Sequence, residues 1–258
     1  MKPGHDYTIQ SVVKALDVLF AFREAPHAFT LAQLVKRLPF SKNQVYRCVR
    51  TLETYGLLRQ DEEARYVLST AIYSLAEAVH DEASLIRIAQ PSLDRLARIT
   101  GESVHLVGYV DGGAVVLDRR DSPAGLRVST RIGARTTLHA GAVPKAILAF
   151  LPPVEQETIL AQLPHLPRFT PNTTTDPAQL ANELEAIRAR GYSISDQDYE
   201  LGARGVGAPI FGHNQQVVGG ISVGGPIGRI GVEKLRELGE MVAGEAKVIS
   251  RQLTQISF

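Results

Sequence analysis

The chain has 258 residues, of which 44% are hydrophobic and 21% charged, with 28 lysines and arginines against 27 aspartates and glutamates. This composition predicts a globular protein of one or two domains and excludes a disordered tail, and no apolar run approaches the roughly 18 residues of a membrane span. The N-terminal residues lack the apolar core of a signal peptide, and a single cysteine favours a reducing cytoplasm. The seven histidines show no metal-ligand spacing and no nucleotide-binding glycine motif occurs, so we predict neither a metal nor a cofactor.

The first segment with helical periodicity covers residues 11–22. Two capping boxes follow it. Thr30 with Gln33, and Ser41 with Gln44, each have the spacing at which a hydroxyl and a glutamine satisfy free N–H groups at the start of a helix. They predict two short helices separated by a tight proline turn, which is the arrangement of a helix-turn-helix. The apolar positions of the first helix are Val12, Ala15, Leu16, Leu19 and Phe20.

The third predicted helix has an apolar side and a basic side. Its apolar side includes Cys48, which we predict to be a core residue rather than a nucleophile, and Gly56 lies where a left-handed residue would end the helix. Residues 30–60 contain six basic residues and one acid, whereas the chain from residue 71 contains 18 basic and 20 acidic residues. This local positive charge predicts a polyanionic partner for the first part of the chain alone.

A basic second helix in a helix-turn-helix is typical of recognition of double-stranded DNA in the major groove. Arginine, lysine, glutamine and asparagine can read base edges, while hydroxyls and further basic side chains reach phosphates. We assign base contacts to Lys42, Asn43, Gln44 and Arg47, although each residue taken singly fits a solvated helix surface equally well. The complete set of DNA-binding candidates is Thr30, Ser41, Lys42, Asn43, Gln44, Tyr46, Arg47, Arg50, Arg59 and Arg65.

Residues 57–60 and 65–68 have short strand patterns and flank an acidic turn. After a helix-turn-helix, such a hairpin predicts a wing. The carboxylates at its tip would repel phosphate, so any backbone contacts of the wing are assigned to Arg59 and Arg65 on the strands. The predicted domains are a winged helix-turn-helix over residues 1–70, a linker helix over 71–83 and a second domain over 84–258.

The second predicted domain begins with a helix that ends at Thr100, in which Pro91 predicts a kink or a division into two helices. Strands, then helices, then strands and a last helix follow, and this order predicts an antiparallel α+β sandwich. Glycines in and beside its later strands indicate either bulges or a ligand close to the backbone. Strands are predicted over residues 103–110, 114–120, 126–132, 192–195, 206–211 and 217–223, and helices over 140–151, 153–163, 178–190 and 232–253.

These features resemble the IclR family of bacterial transcriptional regulators over residues 7–253. The specific matches begin at Leu138 (LHAGAVPKAIL), Phe169 (FTPNTTTDP), Leu184 (LEAIRARGY) and Gly219 (GGISVGGP). The resemblance implies a winged helix-turn-helix joined by a helix to a GAF-like antiparallel α/β effector domain, in a homodimer or homotetramer bound to operator DNA. It also implies repression or activation of catabolic genes under the control of a small organic or aromatic acid.

The resemblance further implies where the effector binds. The family usually has Cys at the position of Gly205, Ser at that of Gly224 and often an acid at that of Ser195. These replacements lead us to expect a larger or more apolar effector than a small keto acid, or no effector. The implied effector-binding residues are Ala142, Val143, Ser195, Asp196, Gly205, Ser222 and Gly224.

Two other functions compete with this interpretation. Residues 220–224 match the G-x-S-x-G pattern of a hydrolase with Ser222 as nucleophile, but the pattern lies within a predicted strand and no histidine follows His213. We therefore do not expect an enzyme. His105 and His139 lie in apolar segments of the second domain, where a histidine can hydrogen-bond a ligand, but we expect both to be hydrogen-bonded core residues. A constitutive DNA-binding protein with a C-terminal domain for dimerisation only stays open, and an effect of metabolites on DNA affinity would distinguish it.

Overall fold

The computed structural model describes residues 8–77, 80–162 and 165–255. The chain divides into two compact units, residues 1–80 and residues 81–258. Each unit has its own apolar core: one in the first unit, and two in the second.

Some sequence predictions fall outside the described residues. These are Tyr7 at the start of the family resemblance, positions 78–79 of the linker helix, and Leu163, the last residue of a predicted helix. The domain limits given by the sequence, including the linker helix over 71–83, therefore stay a prediction.

The first unit contains four helices and three strands among the described residues. They are α1 (Gln10–Ala21), β1 (Ala28–Phe29), α2 (Leu31–Arg37), α3 (Lys42–Thr54), β2 (Leu58–Gln60), β3 (Tyr66–Leu68) and α4 (Ala71–Glu77). The strands form an antiparallel sheet in the order β1-β3-β2, so the predicted wing gains a third strand that the sequence pattern did not indicate.

Local hydrogen bonds set the limits of α2 and α3. Both predicted capping boxes are formed, by Thr30 with Gln33 and by Ser41 with Gln44. At the end of α3, Gly56 has φ +72°, and the N–H of Leu57 donates to the carbonyl of Leu52. This Schellman arrangement satisfies carbonyls that the helix leaves free and turns the chain into β2.

Helix α1 has two apolar faces, and one of them packs into the core. Val18 and Phe22 are 0% and 1% exposed, whereas Val12, Leu16 and Phe20 are 50%, 43% and 53% exposed. Most of the apolar positions that identify this helix in the sequence therefore lie on its outer side.

The second unit is a six-stranded antiparallel sheet with helices on both faces. Its elements are α5 (His80–Thr100), β4 (Ser103–Val110), β5 (Gly113–Arg120), β6 (Arg135–Thr136), α6 (Ala142–Phe150), α7 (Pro153–Gln162), α8 (Pro177–Arg190), β7 (Ser193–Asp196), β8 (Ala203–Phe211), β9 (Val217–Pro226) and α9 (Leu235–Gln255). The strand order is β6-β5-β4-β9-β8-β7. Helices α5 and α9 share one core with the sheet, and α6 and α8 share the other. The predicted fold class, with an antiparallel α/β second domain, is confirmed.

One prediction in this unit is wrong. Residues 126–132 form no strand: Leu126 and Ile132 are 73% and 54% exposed, and the guanidinium of Arg119 donates to the carbonyl of Thr130 at 2.8 Å. The carbonyl of Thr130 thus bonds to a side chain and not to the backbone of a neighbouring strand, and the strand that pairs with β5 is β6. Pro91 lies inside α5 and does not divide the helix, which leaves a kink at the proline as the prediction.

Glycines in the sheet allow the first turn of α6 to approach closely. A Cβ on Gly207 would lie 2.7 Å from the carbonyl carbon of Ala142 and from the nitrogen of Val143. A Cβ on Gly220 would lie 2.7 Å from Cγ1 of Val143. Glycine is therefore required beneath the start of α6 by space rather than by its backbone angles.

We expect Gly207→Ala to lower the free energy of unfolding by about 1–3 kcal/mol, because the added methyl forces backbone against backbone. Gly244→Ala is the matched control, since Gly244 lies inside α9 with nothing within 4 Å of its added Cβ. That change should raise stability by about 0.5–1 kcal/mol. Urea unfolding of the full chain measures both, and a Gly207→Ala protein as stable as wild type would contradict the close approach.

Candidate nucleic-acid interface and ligand cavity

The outer face of α3 is exposed and basic. The predicted base-contact residues Lys42, Asn43, Gln44 and Arg47 are all exposed, and neither Lys42 nor Arg47 forms an ion pair with another described residue. On the inner side, Cys48 is half-buried beside the core, and burial raises the pKa of its thiol. The helix therefore presents two cations to a partner while its cysteine serves packing.

Three of the polar candidates already have partners inside the unit. Oε1 of Gln44 accepts from the N–H of Ser41 at 3.0 Å and from its hydroxyl at 3.2 Å. The hydroxyl of Thr30 caps α2 in the same way. Reading adenine requires both the oxygen and the nitrogen of a glutamine amide, so Gln44 would have to leave the cap to do so. The side chains of Asn43 and Arg47 have no hydrogen bond to another described residue.

The remaining basic candidates differ in whether they form ion pairs within the unit. Arg50 is paired with Glu53 at 2.7 Å, but both groups are accessible, and an exposed pair of this kind is easily exchanged for a phosphate. Arg65 is held by Asp61 at 2.8 Å and Glu63 at 2.7 Å within the wing. The acidic tip thus neutralises Arg65, whereas Arg59, also exposed, has no ion pair with another described residue. Tyr46 is 48% exposed on the same side of α3 as Arg50.

The second unit contains a cavity of about 130 Å³ between the sheet and the first turn of α6. Six of the seven implied effector residues line it, namely Ala142, Val143, Ser195, Gly205, Ser222 and Gly224. Asp196 does not; its carboxylate accepts two hydrogen bonds from Arg204, at 2.9 and 3.1 Å, and Arg204 itself lines the cavity. The structure therefore brings together residues that are far apart in the chain.

Several lining residues were missed in the sequence. They belong to β4, β5, β6 and the extended segment that precedes β6, and include Val107, Ala114, Val116, Val128, Thr130 and Thr136. His105, for which the sequence left ligand binding open, also lines the cavity. The alternation of apolar residues in β4 and β5 could have indicated which side chains share a face. It does not indicate which face carries the cavity.

The start of α6 gives the cavity an electropositive end. The N–H groups of Ala142 and Val143 are the first two of the helix and have no acceptor within it. Because the helix dipole also places positive charge at this end, these groups favour an anion such as a carboxylate. The side chains of Val107, Val116 and Ala114 supply an apolar wall.

A buried ionic network holds the cavity wall in place. Nζ of Lys145 lies 2.5 Å from Oδ2 of Asp198, 2.6 Å from Oε1 of Glu183 and 2.8 Å from the carbonyl of Ile194. The hydroxyl of Ser195 donates to the other oxygen of Asp198. Since Lys145 and Asp198 are 3% and 6% exposed, removing the ammonium group of Lys145 would leave the buried carboxylate of Asp198 without its cation.

The two buried histidines behave differently. Nε2 of His139 lies 3.0 Å from the carbonyl of Pro167 and Nδ1 lies 2.8 Å from the hydroxyl of Thr137, as expected for a hydrogen-bonded core residue. His105 is 6% exposed, and its Nε2 has no partner among the described residues, so the expectation was wrong for this side chain. Burial, with a contribution from the positive charge of Arg119, lowers the pKa of His105 to about 4.

Ser222 lies in the middle of β9, which continues to Pro226. The strand–turn–helix geometry of a hydrolase elbow is therefore not present at this serine. Within residues 8–77, 80–162 and 165–255, no group of histidine, cysteine, aspartate and glutamate side chains could hold a metal ion. No helix in these ranges is both long and apolar enough to cross a membrane.

Comparison with known proteins identifies both units. The family model for the IclR helix-turn-helix domain matches residues 11–62, and the model for the bacterial transcriptional regulator IclR C-terminal domain matches residues 77–251. The HTH-type transcriptional regulator KipR of Bacillus subtilis is 34% identical over 244 residues, which cover 95% of this chain and 97% of KipR.

Solved structures agree with these matches. The crystal structure of Thermotoga maritima IclR has a TM-score of 0.79 and 29% identity, covering 95% of this chain and 99% of that one. An IclR homolog from Microbacterium hydrocarbonoxydans, complexed with 4-hydroxybenzoate, has a TM-score of 0.78 and 22% identity, covering 94% and 98%. At this identity, the similarity shows that the two proteins share a fold. The two family models and the similarity to KipR show that this chain belongs to the IclR family of bacterial transcriptional regulators.

Proposed function

We propose that this protein is a cytoplasmic, ligand-responsive regulator of catabolic genes, which binds an operator through α3 and a small organic or aromatic acid in the cavity. The observation that carries the proposal is the presence in one chain of an exposed basic face on α3, where Lys42 and Arg47 have no ion pair with a described residue, and of a cavity with a helix N-terminus at its wall. Relatives of this chain are transcriptional regulators, and we assign it no catalytic activity.

The DNA contacts divide into two kinds. Arg47 is exposed and unpaired among the described residues, which suits a bidentate contact to guanine, with Lys42 and Asn43 beside it at the start of α3. Arg50 and Arg59 are placed for phosphates, and Tyr46 for a phosphate or sugar. Thr30, Ser41 and Gln44 contribute first by capping the two helices that present these residues.

Arg47→Ala should weaken operator binding by about 1–3 kcal/mol and relax specificity at one base pair, because a guanine contact is lost. Arg50→Ala should instead weaken binding to all sequences equally and make its salt dependence shallower, with a slope reduced by about 1. Fluorescence anisotropy with the wild-type operator and single-base variants, at several salt concentrations, measures both effects.

Arg236→Ala is the matched control, since Arg236 is an exposed, paired arginine on α9 of the second unit. It should leave operator affinity unchanged. An equal loss across all sequences for Arg47→Ala would reassign that residue to a phosphate contact.

The size and polarity of the cavity favour a small acid. An apolar cavity of roughly 150 Å³ is large enough for benzene, so a cavity of about 130 Å³ suits a one-ring or short-chain molecule. The N–H groups at the start of α6 would bind its carboxylate, and the apolar wall its hydrocarbon part. Such a ligand changes DNA affinity only if it binds one arrangement of the protein more tightly than another.

Gly224→Val provides a direct test of the cavity. A Cβ at Gly224 meets nothing closer than the carbonyl of Arg204 at 3.8 Å, so valine should fill cavity space without disturbing the sheet. We expect an acid to shift the operator affinity of wild type and to have at least a tenfold weaker effect on Gly224→Val, whose ligand-free operator affinity is unchanged.

The acid is found by titrating wild type, bound to DNA that flanks its own gene, with a panel of organic and aromatic acids at physiological salt and excess competitor DNA. Operator binding that no acid shifts would favour the constitutive alternative. Equal responses of wild type and Gly224→Val would place the effector elsewhere.

The protein is further proposed to act as a homodimer, alone or paired as a tetramer, on a pseudo-palindromic operator. Ile9, Val12, Leu16 and Phe20 are 69%, 50%, 43% and 53% exposed and recur every three or four residues along α1. An exposed apolar stripe of this kind marks an interaction surface, and a two-fold axis lets one stripe pack on its copy. Two recognition helices would then lie one helical turn of DNA apart, about 34 Å, or a multiple of it.

The double variant Leu16→Glu with Phe20→Glu should reduce the molar mass measured by light scattering and weaken operator binding, because charges would face each other across the axis. Ser11→Glu is the control: it lies seven residues before Val18, and therefore on the other side of α1 from the stripe. An unchanged mass for the double variant would remove α1 from the oligomer interface.

A further inference from the structure

His105 has an unusual position in the cavity wall. Its Nε2 is one of three buried side-chain polar atoms, within residues 8–77, 80–162 and 165–255, that have no hydrogen-bond partner. The other two belong to Thr136, which also lines the cavity, and to Glu245, which does not. Because an unpaired buried polar atom lowers stability and native proteins contain few of them, two such atoms beside one cavity call for a functional reason.

The sheet register places His105 in line with the start of α6. Ser222 on β9 lies directly opposite His105 on β4, and Gly207 on β8 lies directly opposite Ser222. Cross-strand partners share a face, and the first turn of α6 covers Gly207, as shown by the 2.7 Å approach of Ala142. This row therefore runs from the helix N-terminus, past the hydroxyl of Ser222, to His105. The hydroxyl of Ser222 likewise has no hydrogen bond to a described residue.

We propose that His105 is a specificity-determining residue, whose Nε2 binds a hydroxyl group that the effector carries in addition to its carboxylate. This inference rests on the proposed function, in which the cavity holds an acid with its carboxylate at the start of α6. Ser222, adjacent on the next strand, would bind the same hydroxyl group. A hydroxyl both donates and accepts, so it pairs with a neutral imidazole in either tautomer.

The electrostatics of the site agree with a neutral ligand group at this end. Burial and the nearby Arg119 lower the pKa of His105, with Asp121 acting in the opposite direction, so that its ring is uncharged at physiological pH. A second carboxylate would find no cation in His105, whereas a hydroxyl would find the partner that the ring lacks. The Nε2 atom is enclosed, so the ring must rotate to bring it to a ligand.

The same register limits the shape of the ligand. Neighbouring strands are about 4.8 Å apart, so His105 and the backbone under α6 are separated by roughly 10 Å across the sheet. Two hydrogen bonds of about 2.8 Å leave roughly 4 Å between the carboxylate and hydroxyl oxygens of the ligand. An α-hydroxy acid is too short for this span. Roughly 4 Å is the minimum, reached when both hydrogen bonds lie along the row, and bonds inclined to the row leave a larger separation. The span therefore suits a hydroxyl several bonds from the carboxylate, as in 4-hydroxybutyrate, 3-hydroxybenzoate or 4-hydroxybenzoate.

Calorimetric titration of the full-length protein with matched acids tests this inference. The pairs are benzoate with its 3- and 4-hydroxy derivatives, and butyrate with 4-hydroxybutyrate, and the short α-hydroxy acid lactate is compared with propionate. We expect at least one hydroxylated acid of the first two sets to bind tenfold or more tightly than its parent. Lactate should show no advantage over propionate.

Variants of His105 identify the group responsible. His105→Phe keeps a ring of similar shape without its nitrogens, and should abolish the preference by weakening the hydroxylated acid tenfold or more while leaving the parent acid unchanged. His105→Gln, which restores a polar group, should recover part of the preference. If His105→Phe does not fold, the comparison is made with His105→Gln and with Ser222→Ala, each of which should reduce the preference.

The stability of the ligand-free protein supplies a readout that a purely structural residue would not give. His105→Phe removes an unpaired polar atom and should raise Tm by about 2–4 °C. His139→Phe is the matched control, because both ring nitrogens of His139 are hydrogen-bonded, and it should lower Tm. A lower Tm for His105→Phe would show that the ring supports the fold.

The outcomes separate this inference from the proposed function. Equal affinities within every pair, or a preference that His105→Phe leaves intact, would overturn the role of His105 while acid binding stands. Absence of binding by every acid would overturn both, and operator binding measured in parallel would show whether DNA recognition remains.

Discussion

The close approach of α6 to the sheet is the constraint on which the second unit depends. Only a residue without a side chain fits beneath the first turn of the helix, and Gly207 and Gly220 occupy those positions. The helix N-terminus is thereby brought to the wall of the cavity, where its free N–H groups can meet a ligand. The glycines of this sheet therefore serve helix packing, and the cavity is a consequence of that packing.

Buried charge and buried polarity serve different purposes around this cavity. Lys145, Asp198 and Glu183 satisfy one another and fix the wall, so they stabilise a shape. His105, Thr136 and Ser222 lack partners among the described residues and offer hydrogen bonds to something else. A site that keeps unpaired groups in a ligand-free protein gives up stability for selectivity, because an unsuitable ligand leaves those groups unpaired.

In the first unit, local interactions carry much of the architecture, and for that reason it follows closely from the sequence. A capping box joins residues three apart, and a glycine with positive φ ends a helix through neighbouring carbonyls, so both are visible in the chain itself. The same locality shows why capping restricts DNA recognition. Gln44, an attractive base reader by residue type, has its oxygen bound to Ser41, whereas Arg47 on the same face is unpaired among the described residues.

The sequence alone predicts the winged helix-turn-helix, the antiparallel second domain and the family, because these depend on periodicity, capping and ordered motifs. Through the family resemblance it also gives six of the residues that line the cavity. The tertiary structure decided which face of α1 is buried, since Val12 and Val18 are equally apolar and only packing distinguishes them. It also decided that residues 126–132 form no strand, because the carbonyl of Thr130 bonds to the side chain of Arg119. Finally, it decided that His139 is satisfied and His105 is not, since partners distant in the chain set the hydrogen bonds of a buried ring.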